Sequence, residues 1–236
     1  MIRQGLAMIL TAALLMSGVA MAAEKEELPQ TTTDGLNLTK NTKHRIVYVA
    51  DDVDFKQYTK VMIVDCAVAF AKNWQRDYNR SERDLSRKVK DSDVTRIKES
   101  VAAEFKKVFT QTMIDNGLEV VTEPASDVII LRPAIINLVV SAPDIQSASR
   151  SLSFTGDAGQ MTLYLELYDS VSSAILAKIM DAKDAGRQSP SMSYATRVSN
   201  IAAADRMLRS WANELATHFG AVTKGEEEPA EEEGSE

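Results

Sequence analysis

Gln160-Met161-Thr162-Leu163-Tyr164-Leu165-Glu166-Leu167-Tyr168 is the stretch that decides the fold. Met161, Leu163, Leu165 and Leu167 fall on one side of an extended backbone. Thr162, Tyr164, Glu166 and Tyr168 fall on the other, which is the two-residue period of a strand with one face in a core. Asp169 to Ser173 then turns the chain into Ile175 to Asp184, so the two runs predict a hairpin. Upstream, Asp127 to Val140 predicts a longer strand in which Pro133 lacks a ladder donor and marks a bulge or an edge. Leu118 to Val121 predicts a short strand, and Arg45 to Ala50 another. Lys60 to Phe70 reads as one central strand, apolar on both faces, with Cys66 a small buried hydrophobe in it.

Two runs carry the other period. Val94, Ile97, Val101, Phe105, Val108 and Phe109 form one helical stripe, with Asp91, Ser92 or Asp93 as cap and Asn116-Gly117 as a left-handed stop. Ile201, Ala204, Leu208, Trp211, Leu215 and Phe219 form a second, which Gly220 ends. Met113, Met207 and Trp211 fall at core positions of these helices. Burying large side chains is worth roughly 1.5–3 kcal/mol each, and two such stripes need one shared sheet face. The order β-β-α-β-β-β-β-α predicts an α+β domain, a largely antiparallel sheet with two long helices packed on one face. Lys72 to Lys90, charged and poor in aliphatics, reads as a long connection.

The ends of the 236-residue chain have different chemistry. Residues 1–22 carry one charge, Arg3, then an apolar run and Ala20-Met21-Ala22, the pattern of a cleaved secretory signal. The reading is an exported, periplasmic protein whose mature chain starts at Ala23, with no cysteine near the cut to be acylated and no stable membrane anchor. Residues 23–43 read as an extended arm, 44–220 as the α+β domain and 221–236 as an acidic disordered tail. Losing the leader takes the net charge from −7 to −8, and the last thirteen residues, with seven glutamates and one lysine, supply −6 of it. The nearly neutral body gives no support for nucleic-acid binding.

A family pattern emerges from Asp54-Phe55-x-x-Tyr58 before Val61–Val64, from Leu131-Arg132-Pro133-Ala134-Ile135, and from Gly159-Gln160-Met161-Thr162-Leu163 leading to Leu165-Glu166-Leu167 and Asp169-Ser170. The chain resembles the bacterial exported proteins grouped as the domain of unknown function 3313 family, over roughly residues 45–220. The resemblance implies a cell-envelope protein without an assigned activity and no catalytic residues to carry over. Many members resemble lipoproteins acylated on a cysteine after the signal; this chain departs from that.

The sequence carries no G-x-S-x-G elbow, phosphate loop, dinucleotide turn or H-E-x-x-H pair. One cysteine makes no disulfide or thiolate cluster, and His44 and His218 share no ligand spacing, so no metal or cofactor is expected. Three places stand out as binding candidates. Trp74, Arg76, Tyr78 and Arg80 lie in a stretch, Lys72 to Lys98, with nine Lys or Arg against five Asp or Glu. Such residues favour phosphate, glycan or protein contacts, or else form a solvated loop with Trp74 tucked against the sheet. Ser141 to Gly159, with Arg150, is a long loop, functional or mobile. Arg132 shares a strand face with Val128, Ile130, Ala134 and Ile136, and needs a partner such as Glu166 or Asp65, unless it grips a ligand.

These readings favour a non-catalytic binding or envelope-assembly module, with an envelope protein or cell-wall component as partner. Two alternatives stay open. One is a cell-wall or phosphate-ester hydrolase using a serine and Glu166 or Asp157. The other is an accessory subunit of an envelope transporter.

Overall fold

The computed structural model describes residues 28–140, 153–155, 159–184, 193–195 and 197–220. Among these residues ten strands and three α-helices are formed: β1 (Asn37–Asn41), β2 (Arg45–Val49), β3 (Lys60–Ile63), β4 (Ala67–Phe70), α1 (Trp74–Ser81), α2 (Asp91–Asp115), β5 (Glu119–Val120), β6 (Val128–Val139), β7 (Ser153–Thr155), β8 (Gln160–Asp169), β9 (Ile175–Asp184), β10 (Ser193–Ala195) and α3 (Arg197–Ala216). Eight strands make one sheet in the order β1-β2-β9-β8-β6-β3-β5, with β4 also paired to β6. From β1 to β6 every pairing is antiparallel, and β3, β4 and β5 join in parallel. The α+β architecture read from the sequence is therefore the observed one. The hairpin of β8 and β9 forms as expected, with Leu165 opposite Ile179.

The helices lie on one face. Ile129, Leu131 and Ile135 of β6 and Met161, Leu163, Leu165 and Leu167 of β8 are buried in one cluster with Phe105, Val108, Phe109 and Met113 of α2 and Leu208, Trp211 and Leu215 of α3. These are the alternating positions of each strand and the three- and four-residue steps of each helix, so both periods converge on a single core. The α2 helix ends as read, at Asn116 and Gly117, whose φ of 84° is left-handed. Its N-cap is Lys90, whose N–H donates to the Asp93 carboxylate at 3.0 Å, so Asp93 acts one turn inside the helix.

Three local readings are corrected. Lys60 to Phe70 is two strands, β3 and β4, laid end to end along one flank of β6. The Asp127 and Leu131 carbonyls accept from Lys60 and Val64 at 3.1 Å each, so odd-numbered main-chain groups turn toward that flank. Pro133, next but one in that series, has no N–H to offer, and the ladder stops there and resumes at Ala134. The buried face accordingly shifts from Val61 and Ile63 to Cys66. Burial pushes the Cys66 thiol up to about 12, which keeps it protonated as a small hydrophobe. The second correction is in the supposed connection from Lys72 to Lys90, which contains α1. Trp74 and Tyr78, one turn apart, stack against the sheet through Phe70, with ring centroids 4.1 Å (Phe70–Trp74) and 5.9 Å (Trp74–Tyr78) apart. Third, the arm at 28–43 contributes the edge strand β1, and Leu36 within it is buried.

Four residues of the family pattern, Phe55, Tyr58, Asp169 and Ser170, lie at one end of the sheet. The Tyr58 hydroxyl donates to the Asp169 carboxylate at 3.1 Å, and Ser170 Oγ donates to the Ala125 carbonyl at 2.8 Å. Phe55 packs on Phe219, centroids 6.5 Å apart, and the Gly220 N–H donates to the Tyr58 carbonyl. A Cβ at Gly220 would stand 1.8 Å from the Lys56 carbonyl oxygen, and one at Gly159 2.4 Å from that of Val139, so both glycines permit close backbone approaches. The stretch read as a signal peptide, the acidic stretch 221–236, Arg150, Asp157 and most of the loop 141–159 lie outside the described residues; Ser153–Thr155 within that loop pairs with β10.

Candidate functional site

The sheet is wider than its helical cover. Over its antiparallel side, between α3 and strands β1, β2, β9 and β8, lies a cavity of about 340 Å³. Its walls follow from strand alternation. The inward positions Val47 and Val49 of β2, Leu163, Leu165 and Leu167 of β8, and Ala177 and Ile179 of β9 supply an aliphatic floor. Trp211 and Leu215 of α3, with Phe219 and Phe55, supply the opposing side.

One inward position of β9 is charged. Asp181 follows Ala177 and Ile179 on the floor, and its side chain is only 6% exposed. A carboxylate so placed needs a partner. Arg45 Nε donates to Asp181 Oδ2 at 2.8 Å, while Arg45 Nη2 donates to Glu214 Oε2 at 2.6 Å. The guanidinium fork therefore ties the floor of the sheet to α3, with all its nitrogens engaged by two carboxylates. Thr39, Lys40 and His218, all exposed, mark where the cavity opens. Behind the wall, Lys183 Nζ lies 5.4 Å from the centre of the Trp211 ring and 2.5 Å from Ser210 Oγ, and burial pulls its pKa down.

Ser210 sits in the middle of α3, where backbone N–H groups are spent on the helix ladder, so no pair of amides converges on an oxyanion beside the Lys183–Ser210 contact. Among the described residues, no group of three His, Cys, Asp or Glu is placed to hold a metal ion. No helix among them is long and apolar enough to cross a membrane.

The residues singled out from the sequence lie elsewhere. Trp74 is buried, 8% exposed, and borders a shallow depression with Tyr78, Val139 and Val140. Arg76 is exposed and pairs with Asp77 at 3.0 Å, and Arg80 is exposed in the last turn of α1. Arg132 stands on the sheet face away from the helices, where its Nη1 lies 3.4 Å from Glu166 Oε2. Glu166 also accepts from the hydroxyls of Tyr164 at 2.7 Å and Tyr168 at 2.9 Å, and burial together with this carboxylate raises the pKa of both phenols. Asp65, the other partner considered, pairs with Lys106. The cavity residues were missed, although one signal was readable: Asp181 is a carboxylate on the apolar phase of a strand.

The fold and cavity define an α+β protein with a one-sided helical layer and an apolar chamber bordered by an ion-pair cluster. The chain belongs to the family described as Protein of unknown function (DUF3313), whose pattern matches residues 30–215. No curated protein matches it in sequence. Among solved structures, two PelC dodecamers from Paraburkholderia phytofirmans are each 10% identical to it, cover 76% of this chain and 99% of their own, and align with TM-scores of 0.39 and 0.38. Protein XCC0632 from Xanthomonas campestris, of family DUF330, is 15% identical over 71% of this chain and 87% of its own, with a TM-score of 0.35.

Proposed function

We propose that this protein is an exported, non-catalytic binding module of the cell envelope that holds an apolar group in the chamber beneath α3. The observation that carries this is the cavity itself: about 340 Å³ with an aliphatic and aromatic lining, beside the buried cluster that α2 and α3 form with the sheet. Close-packed interiors leave few voids larger than a water molecule, and pockets that take small ligands begin at roughly 300 Å³. Export rests on the leader at residues 1–22, and the near-neutral body supports an uncharged or weakly charged partner over nucleic acid.

The test uses the neutral probe N-phenyl-1-naphthylamine with the full chain. Bound probe should gain fluorescence and perturb emission from Trp211. Val47→Trp, which places an indole over the floor, should abolish the gain while the thermal midpoint stays within a few degrees of wild type. Ile179→Phe, a smaller intrusion, serves if the first variant does not fold. A probe signal that survives in a folded blocked variant would overturn the chamber as the binding site. Export is checked separately: periplasmic material should begin at Ala23, and an intact leader on it would remove the envelope assignment.

A further inference from the structure

Resting on that chamber as the binding site, we infer that its ligand is a single-chain amphiphile with an anionic head, its tail beneath α3 and its head at Lys40 and His218. The polar groups around the cavity fall into two sets. Arg45, Asp181 and Glu214 engage one another, and four of the five Arg45 N–H groups are spent on the two carboxylates. Lys40 and His218 line the cavity where it opens, and neither side chain has a partner among the described residues. Two uncommitted polar side chains at the opening of an apolar space call for a ligand that is acceptor-rich at one end and featureless at the other.

Charge points the same way. Within the lining, Arg45 and Lys40 offset Asp181 and Glu214, but both carboxylates are already held by Arg45, which leaves the Lys40 ammonium as the charge available to a ligand. A cationic head would meet that ammonium, and the carboxylates beyond it are already paired with Arg45. The chamber also limits the tail. An apolar cavity of about 150 Å³ takes the six carbons of benzene, so about 340 Å³ has room for about twelve. Carboxylate and phosphate heads share this chemistry, and the two are separated by experiment.

Binding of dodecanoate, dodecyl phosphate, 1-dodecanol and dodecyltrimethylammonium to the full chain, each below its micelle concentration, is measured by titration calorimetry and Trp211 emission. Both anions should bind at least tenfold more tightly than the trimethylammonium compound, with the alcohol between. The tighter anion names the head as carboxylate or phosphate. Shortening the acid to decanoate should weaken binding by about tenfold, in line with the loss of two buried methylenes. Lys40→Gln with His218→Gln, both surface changes, should collapse the preference for anions and leave dodecanol unchanged. Equal binding of all four heads, or an anion preference that survives the double substitution, would overturn the head-group assignment and leave the chamber standing. Failure of every dodecyl compound and of the neutral naphthylamine probe would bring down the chamber itself.

Discussion

Tyr58 and Asp169 show what a family-pattern residue does here. The Asp169 carboxylate accepts from the backbone N–H and the hydroxyl of Ser172, each at 2.7 Å, from the Val171 N–H at 3.1 Å and from Tyr58, and the Ser172 bonds chiefly hold its pKa below the usual carboxylate range. Burial, reinforced by Asp169, pushes the Tyr58 phenol up to about 12. The signs are opposite. The Asp169 contribution is present above the ordinary carboxylate pKa of about 3.9 and is lost as pH falls through the lower folded value. The Tyr58 contribution is present below pH about 10 and is lost as pH rises toward the folded value. Tyr58→Phe should cost about 1 kcal/mol at neutral pH. Chemical denaturation across pH should show the wild-type advantage over Tyr58→Phe narrowing above pH about 10. Asp169→Ala should lose its deficit against wild type only below pH about 4. A deficit independent of pH would detach the Asp169 carboxylate from stability.

The elements divide by how far their period shows in the sequence. Both long helices and the hairpin of β8 and β9 were legible because each repeats an apolar step over many residues. The Arg132–Glu166 pair was legible for a related reason: a charge on an apolar strand face narrows its partners to neighbouring strands. Two elements were hidden by non-local chemistry. The β3–β4 break is caused by Pro133, a proline in a different strand, and cannot be read from Lys60 to Phe70 alone. The α1 helix was masked by charge, because its hydrophobic content is one aromatic pair whose purchase is Phe70. This divides the side chains once grouped as one binding stretch. Trp74→Ala should cost about 3–5 kcal/mol, and Arg76→Ala should stay within about 0.5 kcal/mol, both read from urea midpoints at constant slope. Equal small losses would mean that Trp74 is not part of the core.

At the scale of the molecule, the cavity was not legible because it is a difference between two layers. Sheet width is set by how many strands pair, helical cover by two amphipathic stripes, and nothing local records that the cover falls short over β2 and β9. The chamber stands over β1 and β2, the outer antiparallel margin of the sheet. β1 and β2 reach the rest of the sheet only through β9, while β8, β9 and β6 are sewn together by long registers over the filled core. Stability in a folded protein is parcelled into units that open at different free energies, and a flap with a void behind it belongs at the low end. Native-state hydrogen exchange should therefore find the β2 amides of Val47 and Val49 exchanging through an opening cheaper than global unfolding, with Leu165 protected to the global limit. An occupant of the chamber would slow the first set and leave the second unmoved. The doorway for a guest would then be the transient release of a two-stranded margin, with the helices staying where they are.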